Sequence, residues 1–180
     1  MNYHETNQKP TGFLDEWNDK LIIVSGNGQI LLINNIDLKK SIKEETDLKV
    51  KKIQSNLFSL VVDENFYGRT WISVKDILID DDELYIVYTK KFKSDETKKI
   101  FIDNPEHQKI ISLNDDNCYG ISILKANLNE DFINFQTFID FDECVYSSIP
   151  EFTAHLVGGR LINYGENFLL STGDFRTRFL

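Results

Sequence analysis

A histidine and an aspartate bracket a short hairpin pattern late in the 180-residue sequence. Two apolar runs, residues 161–162 and 168–170, flank a polar segment, residues 163–167, that contains a glycine, and this pattern predicts two antiparallel strands joined by a turn. His155 precedes the first predicted strand and Asp174 follows the second. Because an antiparallel pair brings its outer ends together, we expect the imidazole and the carboxylate to be neighbours at one rim of a sheet. Such a pair could act as a base with an orienting acid.

The composition limits the classes of partner. The sequence is 41% hydrophobic and 12% aromatic, which is enough for one sizeable core or two small ones. Asp and Glu number 29 against 20 Lys and Arg, and the net charge of -9 disfavours non-specific attraction to nucleic acid or an anionic membrane, while cationic partners such as calcium are tolerated. No apolar run approaches the roughly 18 residues of a membrane span. The first residues also lack the order of a secretory signal, so a cytoplasmic protein and an exported one without its leader both stay open.

The two cysteines, Cys118 and Cys144, fit no metal-binding pattern. They could form a single bridge in an oxidising compartment, but their spacing alone does not establish one. We therefore expect two buried free thiols.

Strand patterns dominate the chain. Residues 20–25 and 29–34 surround Gly26-Asn27-Gly28 and predict a tight hairpin. Residues 37–54 are polar and rich in lysine, which favours a solvated loop with at most one helical turn. Further strands are predicted at residues 58–62, 71–74, 76–79, 84–88, 119–124 and 132–139.

Three stretches, starting at Asp19, Asp82 and Glu166, share a polar turn that leads into a short apolar strand. Repeated four-stranded antiparallel units with variable connections predict the blades of a β-propeller, with an antiparallel sandwich as the alternative. We therefore predict an all-β fold in which residues 1–180 form a partial propeller. Its predicted parts are a first hairpin and loop at 13–57, a second blade at 58–150 and the start of a third blade at 151–180.

The motifs between residues 58 and 176 follow one another in an order that resembles the soluble pyrroloquinoline-quinone-dependent glucose/sorbosone (aldose sugar) dehydrogenases. The resemblance implies a six-bladed propeller that binds pyrroloquinoline quinone (PQQ) and calcium, with most of their ligands outside this chain. It also implies an external electron acceptor and a periplasmic or extracellular location. The segments that carry the resemblance are 68–79, 83–89, 119–124, Gly158-Gly159-Arg160-Leu161 and Ser171-Thr172-Gly173-Asp174.

The resemblance also implies roles for individual residues. His155 would be the catalytic base that removes the proton of an aldose's anomeric hydroxyl, and Asp174 would orient it. Arg160 could contact an anionic group of the cofactor, but we favour pairing with a carboxylate or a loop carbonyl inside the blade. His155 stands one residue further from Arg160 than is usual in the family, and the family's His-Pro-Asp-Phe turn is replaced here by Ile79-Asp80-Asp81-Asp82. No metal ligand is predicted within the chain.

By this resemblance the chain corresponds to the N-terminal part of such an enzyme, and we expect it to be inactive alone. The alternative function is a non-catalytic propeller that serves as a binding or structural module. Exposed blade edges are expected to promote self-association. The three aspartates at 80–82 are read as a solvated turn because their spacing does not match a calcium loop, and Trp17 and Trp71 are read as packing residues.

Overall fold

The computed structural model describes residues 12–26, 28–61, 74–92, 118–141, 144–146 and 158–173. These residues form mostly β-structure in antiparallel sheets, as predicted, together with two short helices. Among the described residues, neither helix is long and apolar enough to cross a membrane.

The first sheet is an antiparallel meander that a fifth, short strand extends. The predicted hairpin is confirmed, with Ile22 opposite Leu32. Its turn requires a glycine at Gly28, where φ is +83° and an added Cβ would lie 2.9 Å from a methyl group of Val61. The strands, in spatial order, are β1 (Gly12–Trp17), β2 (Lys20–Ser25), β3 (Ile30–Asn34), β4 (Lys51–Ser55) and β8 (Phe132–Ile133), and β8 runs parallel to β4.

Two predictions for the segment after this hairpin are wrong. Where a solvated loop was expected, helix α1 spans Asn35–Glu44 and is followed by strand β4. None of the residues of α1 is buried, so the helix does not need an apolar face. Its sequence therefore lacks the apolar periodicity from which a helix is predicted. The strand predicted at 58–62 is instead helix α2, Leu57–Val61. Leu57 and Val61 are four residues apart, so a helix places both side chains on the face that packs on the core.

The second sheet is also antiparallel. The predicted hairpin around residues 81–82 is confirmed. The single strand predicted at 132–139 is split, because residues 132–133 join the first sheet while the second sheet resumes at Gln136. The strands are β5 (Val74–Asp80), β6 (Glu83–Phe92), β7 (Cys118–Asn127), β9 (Gln136–Asp140) and β10 (Val145–Tyr146), with β9 and β10 both pairing with β7.

A third unit is the hairpin of β11 (Gly158–Tyr164) and β12 (Asn167–Thr172). It confirms the predicted hairpin, with Leu161 opposite Leu170 and Ile162 opposite Leu169. Strands β1 and β11 both contact β5, so the first strands of the three units lie side by side.

Strand β6 is buried on both of its faces. Leu84, Ile86 and Tyr88 point into a core shared with the first sheet. Tyr85 and Val87, on the other face, point into a second core shared with the third hairpin. The second sheet therefore lies between the other two units and is covered on both sides.

Cys144 is buried, as expected, but it is disulfide-bonded. No free cysteine occurs in the part of the chain that the structure describes. The expectation of two free thiols is therefore wrong, because the cysteine spacing carries no information on which strands the fold places together.

Candidate functional site

The candidate site is the rim at which strands β5 and β11 begin. Both strands depart from regular pairing there, between Val74 and Asp76 in β5 and between Gly158 and Leu161 in β11. Such irregularities bend a strand and redirect its side chains. The rim carries a lysine and an aspartate from β5 and an arginine from β11, and these three charged side chains are the chemical groups of the site.

Asp76 is the centre of this rim. Its side chain is buried, and its Oδ2 atom accepts a hydrogen bond from the backbone N–H of Leu161 at 2.8 Å. The Nε atom of Arg160 lies 3.5 Å from the same oxygen. One carboxylate oxygen thus holds the start of β11 against β5.

Arg160 is anchored at its backbone and open at its tip. Its backbone N–H donates to the hydroxyl of Ser171 at 3.0 Å, across the hairpin. The side chain is 77% exposed, and it forms an ion pair with Asp76, which is one of the structural pairings predicted for this arginine. The exposed guanidinium still has donors that face solvent and could meet an anion. Its contact with a cofactor stays a prediction.

Lys75 lies beside the first residues of β11. It is half-buried, and desolvation lowers its pKa to about 8. Gly159 packs directly on it, since a Cβ added to that glycine would lie 2.6 Å from Cβ of Lys75. The approach of the two strands at Gly159 therefore covers the aliphatic stem of Lys75.

The predicted catalytic pair, His155 and Asp174, lies outside the described residues. The strand ends closest to them in sequence are described, and there Gly158 pairs with Thr172. This pairing is the one that the sequence argument required of the hairpin. Whether the imidazole and the carboxylate meet stays a prediction.

The opposite end of the stack carries the acidic turn. Asp80 accepts a hydrogen bond from the amide of Asn163 at 3.0 Å, and Asp82 accepts one from the indole N–H of Trp17 at 2.8 Å. These aspartates therefore also join neighbouring units. Trp17 is buried in the first core, as a packing residue should be, whereas Trp71 lies outside the described residues.

Sequence reasoning missed two aspartates within first strands. Asp15 in β1 accepts the backbone N–H of Ile79 in β5 at 2.8 Å, just as Asp76 in β5 accepts that of Leu161 in β11. In both cases the carboxylate satisfies a donor on the first strand of the next unit. An aspartate inside each strand, with apolar residues on both sides along the chain, was the signal that could have revealed them.

A second polar group crosses strands β6, β7 and β9. Ser122 is fully buried and its hydroxyl is hydrogen-bonded to Asp140, which forms an ion pair with Lys90 at 2.6 Å. Tyr88 lies in the same cross-strand row, and burial raises its pKa to about 12. These buried groups are satisfied within the sheet, so they are structural.

The described residues provide no calcium site. They contain no group of three or more His, Cys, Asp or Glu side chains that could hold a metal ion, whereas calcium takes six to eight oxygen ligands. For the three carboxylates of PQQ, this rim offers Arg160, which is already engaged by Asp76. The residues described here therefore do not by themselves fit either group.

No family model matches this chain, and neither the curated proteins nor the solved structures searched contain a match. The chain's own residues and their geometry are what support a function.

Proposed function

We propose that this chain forms the first part of a β-propeller quinoprotein that oxidises the anomeric hydroxyl of an aldose. The observation that carries the proposal is the stacking of three antiparallel units in chain order, with β1, β5 and β11 side by side. Propeller blades are antiparallel sheets arranged around a central channel, and the stacking of three such units in chain order supports that architecture. A two-layer sandwich buries one face of each sheet, whereas here the second sheet is covered on both.

The third hairpin supports the location of the reaction. Its paired ends at Gly158 and Thr172 favour the approach of His155 to Asp174. In the proposal, the neutral imidazole of His155 accepts the proton of the anomeric hydroxyl. Asp174 orients the ring and stabilises its protonated form. Arg160, exposed on the same hairpin, would contact an anionic group at the rim.

The proposal assigns no ligand of PQQ or calcium to the described part of the chain beyond Arg160. If the whole protein held the quinone, that group would supply the oxidising power for the reaction. An external electron acceptor and a periplasmic or extracellular location belong to the same proposal. The disulfide of Cys144 favours that location, since such bonds persist in oxidising compartments.

A second candidate is a non-catalytic propeller that binds a partner. The observation in its favour is the engagement of Arg160 by Asp76, which gives this arginine a structural role without a cofactor. Such a module would need only the stacked sheets and no cofactor. The two candidates differ in whether the protein binds PQQ.

The test uses the protein at its natural length. PQQ is titrated by calorimetry in the presence of calcium, and sugar-dependent dye reduction is measured for the wild type and for His155→Ala. The matched control is His107→Ala, which removes another histidine of the chain. We expect PQQ binding in all three proteins and loss of sugar oxidation in His155→Ala alone.

If the folded wild-type protein did not bind PQQ, the dehydrogenase proposal would be wrong and the non-catalytic binding module would be favoured. Binding with equal oxidation in both histidine variants would instead remove His155 from the mechanism.

A further inference from the structure

The outward face of helix α1 combines lysines with an exposed isoleucine. Ile36, Lys39, Lys40 and Lys43 are spaced i, i+3, i+4 and i+7, which places them on one side of the helix. All four are exposed, and Ile36 is 77% exposed. The helix thus presents three cations on the side that carries Ile36.

Nothing in the fold accounts for this face. No ion pair among the described residues involves Lys39, Lys40 or Lys43, whereas Lys20 and Lys51 nearby both pair with Glu130. The helix buries none of its residues against β3. Ile36 and Ile42, at 77% and 71% exposure, therefore contribute little to the core.

We propose that this face of α1 is a docking surface for anionic lipid and holds the protein against a membrane surface. The lysines complement acidic headgroups, and Ile36, on the same side of the helix, would enter the boundary between headgroups and acyl chains. An acidic protein partner would match the charge of the lysines, but it would not provide the layer of acyl chains that the exposed Ile36 could enter. A helix of ten residues lying in the plane of the interface suits this role and does not span the bilayer.

The net charge of -9 does not prevent such binding. Charges further than about 8 Å from the lipid are largely screened at physiological ionic strength. Asp37 and Ser41 lie on the less exposed side of the helix, while Glu44 follows Lys43 at its end. Glu44 is exposed one turn after Lys40, so the outward face carries three lysines against one carboxylate.

The test is co-sedimentation of the protein with vesicles of phosphatidylcholine alone or mixed with phosphatidylglycerol. We expect binding to the mixed vesicles only, weakened by added salt. Replacing Lys39, Lys40 and Lys43 together by Gln should lower the affinity roughly 100-fold, since each lysine near an anionic surface contributes roughly a fivefold gain in affinity. Ile36→Ser alone should lower it roughly 10-fold.

The matched control replaces Lys49, Lys51 and Lys52 together by Gln, which gives the same net charge on the segment after α1. This control should retain most of the binding. Equal loss in both triple variants, or no binding to the mixed vesicles, would overturn the proposal. Retention of the protein by immobilised polyglutamate without vesicle binding would also overturn it and indicate an acidic polypeptide instead.

Discussion

The side-chain amide of Asn56 forms two hydrogen bonds with the backbone of Phe135. Its Nδ2 atom donates to the carbonyl of Phe135 at 2.9 Å, and its Oδ1 atom accepts the N–H of Phe135 at 2.8 Å. Asn56 follows strand β4 of the first sheet, while Phe135 lies between β8 and β9. The amide thus continues the β4–β8 pairing by one further rung and joins the first two units.

Asn56→Ala should therefore destabilise the protein by about 2 kcal/mol, because it leaves a backbone donor and acceptor of a buried residue without partners. Urea unfolding measures the loss. Asn35→Ala is the control, since the amide of Asn35 bonds only to Glu16 at the exposed surface, and it should cost less than about 0.5 kcal/mol. Equal losses in the two variants would argue against the link between units.

Asp76→Ala should cost about 2–3 kcal/mol, because the buried N–H of Leu161 loses its acceptor. Asp76→Asn should cost less, since its amide oxygen can still accept that bond. The exposed ion pair contributes little, so Arg160→Ala should cost less than about 1 kcal/mol. Chemical denaturation of the three variants would contradict this ranking if Arg160→Ala were as damaging as Asp76→Ala.

Gly159→Ala should destabilise the protein more than Gly165→Ala. At Gly159, φ is +110° and the new Cβ would lie 2.6 Å from Cβ of Lys75 and 3.2 Å from a methyl group of Val87. At Gly165, φ is +63° but nothing lies within 4 Å, so only the backbone cost of about 1–2 kcal/mol applies. Thermal unfolding of both variants measures the difference, and similar melting temperatures would mean that β5 and β11 are less tightly packed.

Local turn chemistry made the hairpins predictable. Gly28, Gly165 and the acidic turn at residues 81–82 each lie between apolar runs, and each turn joins the strands expected of it. The continuous apolar run of β6 also indicated a strand, although only the structure shows that both of its faces are buried. Signals confined to a few neighbouring residues were therefore sufficient for these elements.

Features that depend on distant contacts could not be predicted in this way. The segment 57–61 reads as a strand by composition, but Leu57 and Val61 meet the core only as a helix. The alternation at 132–139 continues across two strands that belong to different sheets, because Asn56 holds Phe135 between them. The role of Asp76 likewise depends on a residue 85 positions away. The local pattern of apolar residues does not identify such distant partners.

Reduction of the Cys144 disulfide should lower stability, because the bond restricts the unfolded chain. We expect a loss of about 2–5 kcal/mol in urea unfolding with a reductant present. Cys144→Ser should be less stable than the wild type and should not respond to the reductant. Identical unfolding curves for the wild type with and without reductant would contradict the bond.

Lys75 should make stability rise with pH under mildly alkaline conditions. Burial lowers its pKa from 10.5 to about 8, so the unfolded chain binds more protons than the folded chain between these two values. Below pH 8 the lysine is charged in both states and the desolvation penalty is constant. Above it, the folded protein holds the neutral amine and the penalty is progressively removed.

Urea unfolding between pH 7 and pH 10 measures this rise. The upper limit avoids the titration of Tyr88. Burial raises its pKa from the ordinary value of 10.0 to about 12, so stability falls as the pH rises between these two values. Lys75→Met should flatten the curve in this window, whereas the same substitution at the exposed Lys39 should leave the rise in place. An unchanged slope in Lys75→Met would mean that water reaches the amine in the folded protein.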